Sequence, residues 1–323
     1  MKIKILVSFL VFFACQNSFS QFTDIINSNR PGNSMSAFAV GKTVIQLESG
    51  FSYIKEEHSL LDYKAKGFGA DLHVRYGLFR EQLEAILELN YQNDVYTKYD
   101  VDTKRSGLKN STIGAKYLIY DPFKNYEETV NIYSYKANHK FKFHQLIPAV
   151  SVYGGANLNF SNSAFTPKNP VIGIVSPKLM LITQNIFPGA FVLVTNIYMD
   201  KIGTDYNTKA FIITLTKGFN DQWSGFIENK TLKGTYYSDS IFTLGTAYLF
   251  NSDFQMDVSI SENYKNTPSY LYGGFGLSWR SASNYKDVLI RSKKEDKKKD
   301  KSTKGKDKEK AKKRLDQIEL TKP

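Results

Sequence analysis

Three consecutive segments near the start of the chain alternate apolar and polar side chains with a period of two. In residues 64–76, Leu72 and Val74 alternate with Asp71 and His73. A β-strand points successive side chains to opposite faces, so this pattern predicts a strand with one apolar and one charged face. The same alternation predicts strands over residues 43–53 and 82–92, where Ile86 is the one apolar residue on the charged face.

Nine further strand candidates follow, which makes twelve. Tight turns rich in Gly, Pro, Asn and Asp join strands two to three, six to seven, eight to nine and ten to eleven, and longer polar connections join most of the others. Short turns on one side and long loops on the other are typical of an outer-membrane barrel, although the connection 120–141 is too long for the short side. The nine candidates lie near 107–119, 143–156, 173–185, 190–199, 208–219, 223–231, 240–250, 254–261 and 270–280.

The predicted fold class is all-β: a transmembrane antiparallel up-and-down β-barrel of about twelve strands. In hydrocarbon every backbone N–H and C=O needs a protein partner, so a membrane-spanning sheet must close on itself. A soluble β-sandwich would also alternate, but it would not require alternating loop lengths or aromatic residues at the strand ends. The aromatic residues expected in interfacial girdles are Tyr53, Tyr76, Tyr91, Tyr117, Tyr153, Tyr198, Trp223 and Trp279.

The two ends of the chain differ in composition from the middle. Residues 1–20 have a charged start, an apolar run and small residues before Gln21, which predicts a signal peptide. We expect residues 21–41 to be a periplasmic lead-in, 42–281 the barrel and 282–323 a disordered, Lys-rich periplasmic tail. The formal net charge is +12, but residues 285–323 carry 16 basic and 8 acidic residues, so the body is nearly neutral, which argues against a nucleic-acid binder.

The chemistry-bearing residues are few. Cys15 is the only cysteine and falls in the predicted signal peptide, and the four histidines lack paired metal-ligand spacing. No nucleophile motif is present, although Asp71 and His73 share a face. We therefore expect no disulfide, no metal, no cofactor and no enzymatic activity.

Several segments of the body resemble one bacterial outer-membrane family. Asn29-Arg30-Pro31 precedes a first strand in which residues 46–53 follow the pattern Q-x-E-x-G-F-x-Y, and residues 106–117, 144–154 and 270–280 are also similar to it. Members of this family are described either by the name "putative MetA-pathway of phenol degradation" or simply as transporters. The resemblance implies a barrel of the twelve-stranded type in the outer membrane of a Gram-negative bacterium, with uptake of small, often hydrophobic compounds.

A set of charged residues is predicted to point into the lumen, where they would either tune the selectivity of a polar channel or fill a narrow barrel as paired charges. Arg30 and Pro31 are candidates for a plug or gate, or else form an ordered lead-in to the first strand. The candidates for the lumen and for solute binding are Glu48, Asp71, His73, Arg75, Glu84, Glu88, Lys116, Lys178, Glu228 and Asp257.

Two functions remain open from the sequence. The first is a monomeric outer-membrane channel that passes small, hydrophobic or aromatic solutes passively through a polar lumen. The second is a filled structural or assembly barrel, whose basic tail binds an anionic envelope polymer or a periplasmic protein.

Overall fold

A computed structural model describes residues 25–124, 133–134, 142–159, 163–166 and 173–281. All of the strands in these ranges belong to one antiparallel sheet. They are β1 (Ile45–His58), β2 (Tyr63–Gly77), β3 (Leu83–Lys98), β4 (Val101–Tyr120), β5 (Ala149–Leu158), β6 (Val175–Phe187), β7 (Phe191–Asp200), β8 (Thr208–Gly218), β9 (Trp223–Gly234), β10 (Ser238–Asn251), β11 (Phe254–Asn263) and β12 (Ser269–Ser281).

The sheet closes into a barrel with up-and-down order. Each strand pairs with its neighbours in sequence, and β1 pairs with β12 from Ile45 opposite Ser281 to Glu57 opposite Ser269. Closure leaves no sheet edge, which is what hydrocarbon requires of a spanning sheet. The predicted fold class and the count of twelve strands are confirmed.

The two faces of the strands have different environments. In β1, Ile45 and Leu47 are 42% and 36% exposed on the outside, whereas Gln46 and Glu48 are 1% and 0% exposed in the lumen. Such an apolar outer wall would be unstable in water, and a lipid bilayer is the solvent that it fits. Other exposed apolar residues of the wall are Phe68, Ile113, Leu181, Ile197, Phe211, Ile213, Ile227, Leu244, Val258, Ile260 and Phe275.

The expectation of long loops at the end away from the termini, here called the far end, is wrong for three of its six connections. Residues 59–62, 99–100 and 235–237 are short turns, because the strands before and after them continue through residues that we predicted as loop. β4 has 20 residues, while about 9–11 cross a bilayer. Polar residues can stay in a paired strand that extends into water, so polarity alone overestimates loop length.

The long connection at the terminal end persists. β5 begins at Ala149 and not near residue 143, since residues 143–146 form a short 3₁₀ helix. Most of residues 120–141 lies outside the described residues. In the part of the chain that the structure describes, no helix is long and apolar enough to cross a bilayer.

Two of the eight predicted girdle aromatics are wrong. Tyr153 is 1% exposed and lies in the lumen, and Tyr198 packs against the same buried cluster. Each shares the inward face of its strand, Tyr153 with Ser151 and Tyr198 with Asn196, so strand parity decides their direction. Trp223 and Trp279 do face outward at the terminal end, each 46% exposed.

Candidate site in the barrel lumen

Residues 25–44, here called the lumen segment, run inside the barrel without forming a helix or a strand. A buried segment without secondary structure must find partners for its backbone polar groups. Side chains of the barrel wall provide them. Asn196 Oδ1 accepts from Met35 N at 2.6 Å, Asn196 Nδ2 donates to Met35 O at 2.9 Å, and Gln184 Oε1 accepts from Ala37 N at 3.0 Å.

Arg30 occupies a niche formed by one register row of four strands. Asp71 of β2 lies opposite Gly50 of β1, Gly50 opposite Gly276 of β12, and Gly276 opposite Asp257 of β11. The guanidinium forms ion pairs with both carboxylates, to Asp257 Oδ1 at 3.3 Å and to Asp71 at closer range. A Cβ atom on either glycine would collide with the guanidinium, so the two glycines provide the space and the two aspartates the charge.

The charge of Arg30 is stabilised in this niche. Burial opposes the charged form, but the carboxylates of Asp71 and Asp257 outweigh it and raise the pKa of the guanidinium. Arg30 therefore holds the lumen segment against the β1–β12 seam as a permanent cation.

Glu48, Arg75, Glu84 and Lys116 form one fully buried network. Arg75 pairs with Glu84 at 3.0 Å and with Glu48 at 3.3 Å, and Lys116 pairs with Glu84 at 2.8 Å. The network also donates hydrogen bonds to the lumen segment. Arg75 donates to the carbonyl of Asn27, and Lys116 donates to those of Ser36 and Phe38. The network therefore supports the segment, and each of its four side chains is fully buried.

Glu228 binds the segment from the opposite wall. Its carboxylate accepts from the backbone N–H of Asn33 at 2.9 Å and of Ser34 at 3.1 Å, and from the hydroxyl of Thr214 at 2.8 Å. These donors compensate a fully buried carboxylate that has no ion pair within the described residues.

Apolar packing holds the segment mainly to β3–β6. Met35, Ala37 and Phe38 form a buried cluster with residues of these strands, among them Ile86. Ile86, the residue that broke the alternation of its strand, is 2% exposed and provides the lumen with an apolar contact where the segment passes.

Two cavities lie beside the segment. A larger one of about 500 Å³, here called the vestibule, lies on the far side of the segment, and a smaller one of about 210 Å³, the lower cavity, lies toward the termini. Asn29, Arg30, Pro31, Gly32 and Ser34 line both cavities. Residues 29–34 therefore separate the two cavities.

His73, Glu88 and Lys178 line the vestibule. Lys178 pairs with Glu88 at 2.9 Å and lies over the rings of Tyr153 and Tyr198, at 5.6 and 5.8 Å from their centroids. Within the described ranges, no group of three or more His, Cys, Asp or Glu residues is placed to hold a metal ion.

A group of tyrosines, here called the tyrosine mouth, faces inward near the far end: Tyr63, Tyr96, Tyr237, Tyr270 and Tyr272. The rings of Tyr63 and Tyr96 are 5.0 Å apart, and those of Tyr270 and Tyr272 are stacked at 5.7 Å. Tyr272 also lines the vestibule. The mouth thus continues into the cavity as a surface of aromatic faces.

The structure places all ten predicted lumen residues on inward faces but divides them by contact. Five hold the lumen segment, two hold Arg30, and the other three line the vestibule, which Asp71 lines as well. Five features of the lumen were not predicted from the sequence: Gln184, Asn196, Lys109, Lys230 and the tyrosine mouth. Strand parity would have placed Gln184 on the inward face, because it lies six residues after the predicted lumen residue Lys178 in β6.

Solved structures with the same barrel fold have little sequence in common with this chain. "Crystal structure of the COG4313 outer membrane channel from Pseudomonas putida F1" matches with a TM-score of 0.50 and 9% identity, covering 79% of this chain and 100% of that one. The translocator domain of the autotransporter NalP from Neisseria meningitidis has a TM-score of 0.45 and 10% identity, covering 78% and 90%. The first shows the fold, and the second adds no argument.

Among curated proteins, no sequence matches the chain. A family profile described as "Putative MetA-pathway of phenol degradation" matches residues 28–281, which include almost all of the lumen segment and the whole barrel.

Proposed function

The chain belongs to the family described as "Putative MetA-pathway of phenol degradation", and on this basis we propose that it is an outer-membrane channel for small hydrophobic or aromatic solutes. Passage is passive, through a lumen that residues 29–34 close in the present state. The similar barrel from Pseudomonas putida is named as an outer membrane channel, and we propose the same location for this protein.

The arrangement of the two cavities supports this proposal most directly. The vestibule and the lower cavity are separated by residues 29–34, while the rest of the segment packs against β3–β6. The lower cavity is bounded by side chains of β6–β11, including Val194, Thr214 and Phe226. A solute would therefore pass between the segment and this wall once residues 29–34 move aside.

The tyrosine mouth supports the solute class. Aromatic faces stack on planar rings, and their hydroxyl groups keep the surface wetted. The vestibule volume of about 500 Å³ lies within the range of small-molecule sites.

A filled structural barrel remains the second candidate, because the Arg75 network and the apolar cluster fill part of the lumen as a core would. Export through residues 1–20, a monomeric state and binding of an envelope partner by residues 282–323 remain predictions. Both of these segments lie outside the described residues.

A flux assay distinguishes the two candidates. The purified protein is reconstituted in liposomes, and influx of phenol is compared with influx of glucose, for the wild type and for Glu228→Gln. The channel predicts phenol influx above that of empty liposomes and a further increase in Glu228→Gln, because that change weakens the hold on residues 33–34. Flux equal to empty liposomes for both proteins, with insertion verified by protease protection, contradicts the channel and favours the filled barrel.

A further inference from the structure

Three lysines from different walls reach the vestibule: Lys109 from β4, Lys178 from β6 and Lys230 from β9. Glu88 pairs with Lys178 at 2.9 Å, so this amine is neutralised. Among the residues that the structure describes, the other two amines have neutral hydrogen-bond partners. Lys109 Nζ donates to Gln92 Oε1 at 2.9 Å, and Lys230 Nζ donates to Asn33 Oδ1 at 3.3 Å.

The carboxylates that line the vestibule are already engaged. Asp71 pairs with Arg30, and Glu88 with Lys178. Asp200 accepts hydrogen bonds from the side chain of Asn157 at 2.6 Å and from the backbone of Lys201 at 3.0 Å. Within the described residues, Lys109 and Lys230 therefore provide positive charge without an ion pair.

The rest of the lining provides apolar surface beside these amines. Ile212 of β8 and Ile241 of β10 lie directly opposite Lys230 in the strand register, one on each side of it. Ile54, Met180 and Tyr272 also line the cavity. A ligand that fits both the two amines and the apolar lining carries one negative group and one compact apolar body.

We propose that the vestibule is a binding site for small organic carboxylates. The carboxylate binds between Lys109 and Lys230, and the apolar body lies against Ile212, Ile241 and Tyr272. This inference rests on the proposed channel and specifies its solute class. Lys230 also donates to Asn33, which belongs to residues 29–34 between the two cavities. A bound carboxylate therefore competes with Asn33 for the amine of Lys230.

Binding of three probes of similar shape and different charge tests the assignment. Benzoate, benzyl alcohol and benzylamine are titrated into the purified full-length protein in detergent, with calorimetry as the readout. Benzoate is expected to bind at least ten times more tightly than the other two. In the double variant Lys109→Gln, Lys230→Gln, its affinity should fall about tenfold or more, while that for benzyl alcohol changes less than twofold.

The matched control is Lys209→Gln, because Lys209 is exposed on β8 and its neighbour Ala210 faces inward. This control should leave benzoate affinity unchanged. Equal affinity of benzoate and benzyl alcohol for the wild type, or an equal loss in the control, overturns the proposal. If the double variant does not fold, the wild type decides alone: benzoate affinity must fall as sodium chloride rises from 50 to 500 mM, and an unchanged affinity overturns it.

The failure of this inference is distinguishable from the failure of the channel. Wild-type protein that passes phenol in liposomes but does not prefer benzoate remains a channel and lacks the carboxylate site. Protein that passes no solute but prefers benzoate has the site and is not a channel.

Discussion

Replacing Arg30 with alanine should release the lumen segment and increase conduction. The change removes the guanidinium that pairs with Asp71 and Asp257, and it leaves two carboxylates facing each other in the niche. The Asp257 side chain is fully buried, so it cannot recover its lost partner from bulk water while the segment stays in place. Residues 29–34, which separate the two cavities, then lose their main ionic attachment.

The size of the effect follows from burial and distance. Removing one partner of a buried ion pair costs about 3–5 kcal/mol. The lower value applies here, because the Asp71 side chain is 22% exposed and the Arg30–Asp257 distance is 3.3 Å, longer than an ideal charged hydrogen bond. About 3 kcal/mol shifts the ratio of held to released segment roughly 100-fold. The open probability of single channels in a planar bilayer should rise by up to that factor.

Two further variants make the test specific. Gly276→Ala keeps every charge but puts a methyl group where the guanidinium lies, so it should also raise the open probability. Arg105→Ala breaks another Arg–Asp pair, with Nε to Asp94 Oδ1 at 2.8 Å, but it lies near the far end, away from the niche. It should leave the open probability at the wild-type value. Unchanged conduction in both Arg30→Ala and Gly276→Ala, with a folded barrel, would refute the role of the niche.

Three other predictions concern stability. Lys116→Met removes one of the two ion pairs of Glu84 and two hydrogen bonds to the lumen segment, so the free energy of unfolding in urea should fall by about 3 kcal/mol. Phe38→Ala removes a ring from the buried cluster and should lower the free energy of unfolding by about 3–5 kcal/mol in the same assay. An unchanged free energy of unfolding would mean that the segment does not pack in the lumen. Leu244→Arg places a charge on the outer wall and should cost about 2–4 kcal/mol in lipid vesicles; no cost there would contradict a lipid-facing wall.

The barrel could be predicted from the sequence because its main signal is local. Alternation within a single strand shows which side chains share a face, and β1 follows the expected assignment from Ile45 to Tyr53. Tyr153 was misplaced when a preference for interfaces was applied before strand parity. Polarity also overestimates loop length, because polar residues within 93–98 remain paired with β2 as part of β3.

The site was harder to predict because its contacts are distant in sequence and the lumen segment has no periodicity. Arg30 and Asp257 are 227 positions apart, and their meeting depends on the closure of the whole barrel. Charge on an inward face could be predicted, but its partner could not. The sequence therefore left open whether Glu48 and Glu84 line a polar channel or fill a narrow barrel as paired charges, and their support of the lumen segment was not predicted.

The niche around Arg30 spans the seam at which the first and last strands meet. Gly50 and Gly276 belong to those two strands, and the aspartates lie one strand further out on each side. Before the ring of strands is complete, the two halves of this niche are on opposite ends of an open sheet and cannot hold the arginine. Arg30 can therefore bind both aspartates only after β1 and β12 have paired, so its full attachment depends on a closed barrel.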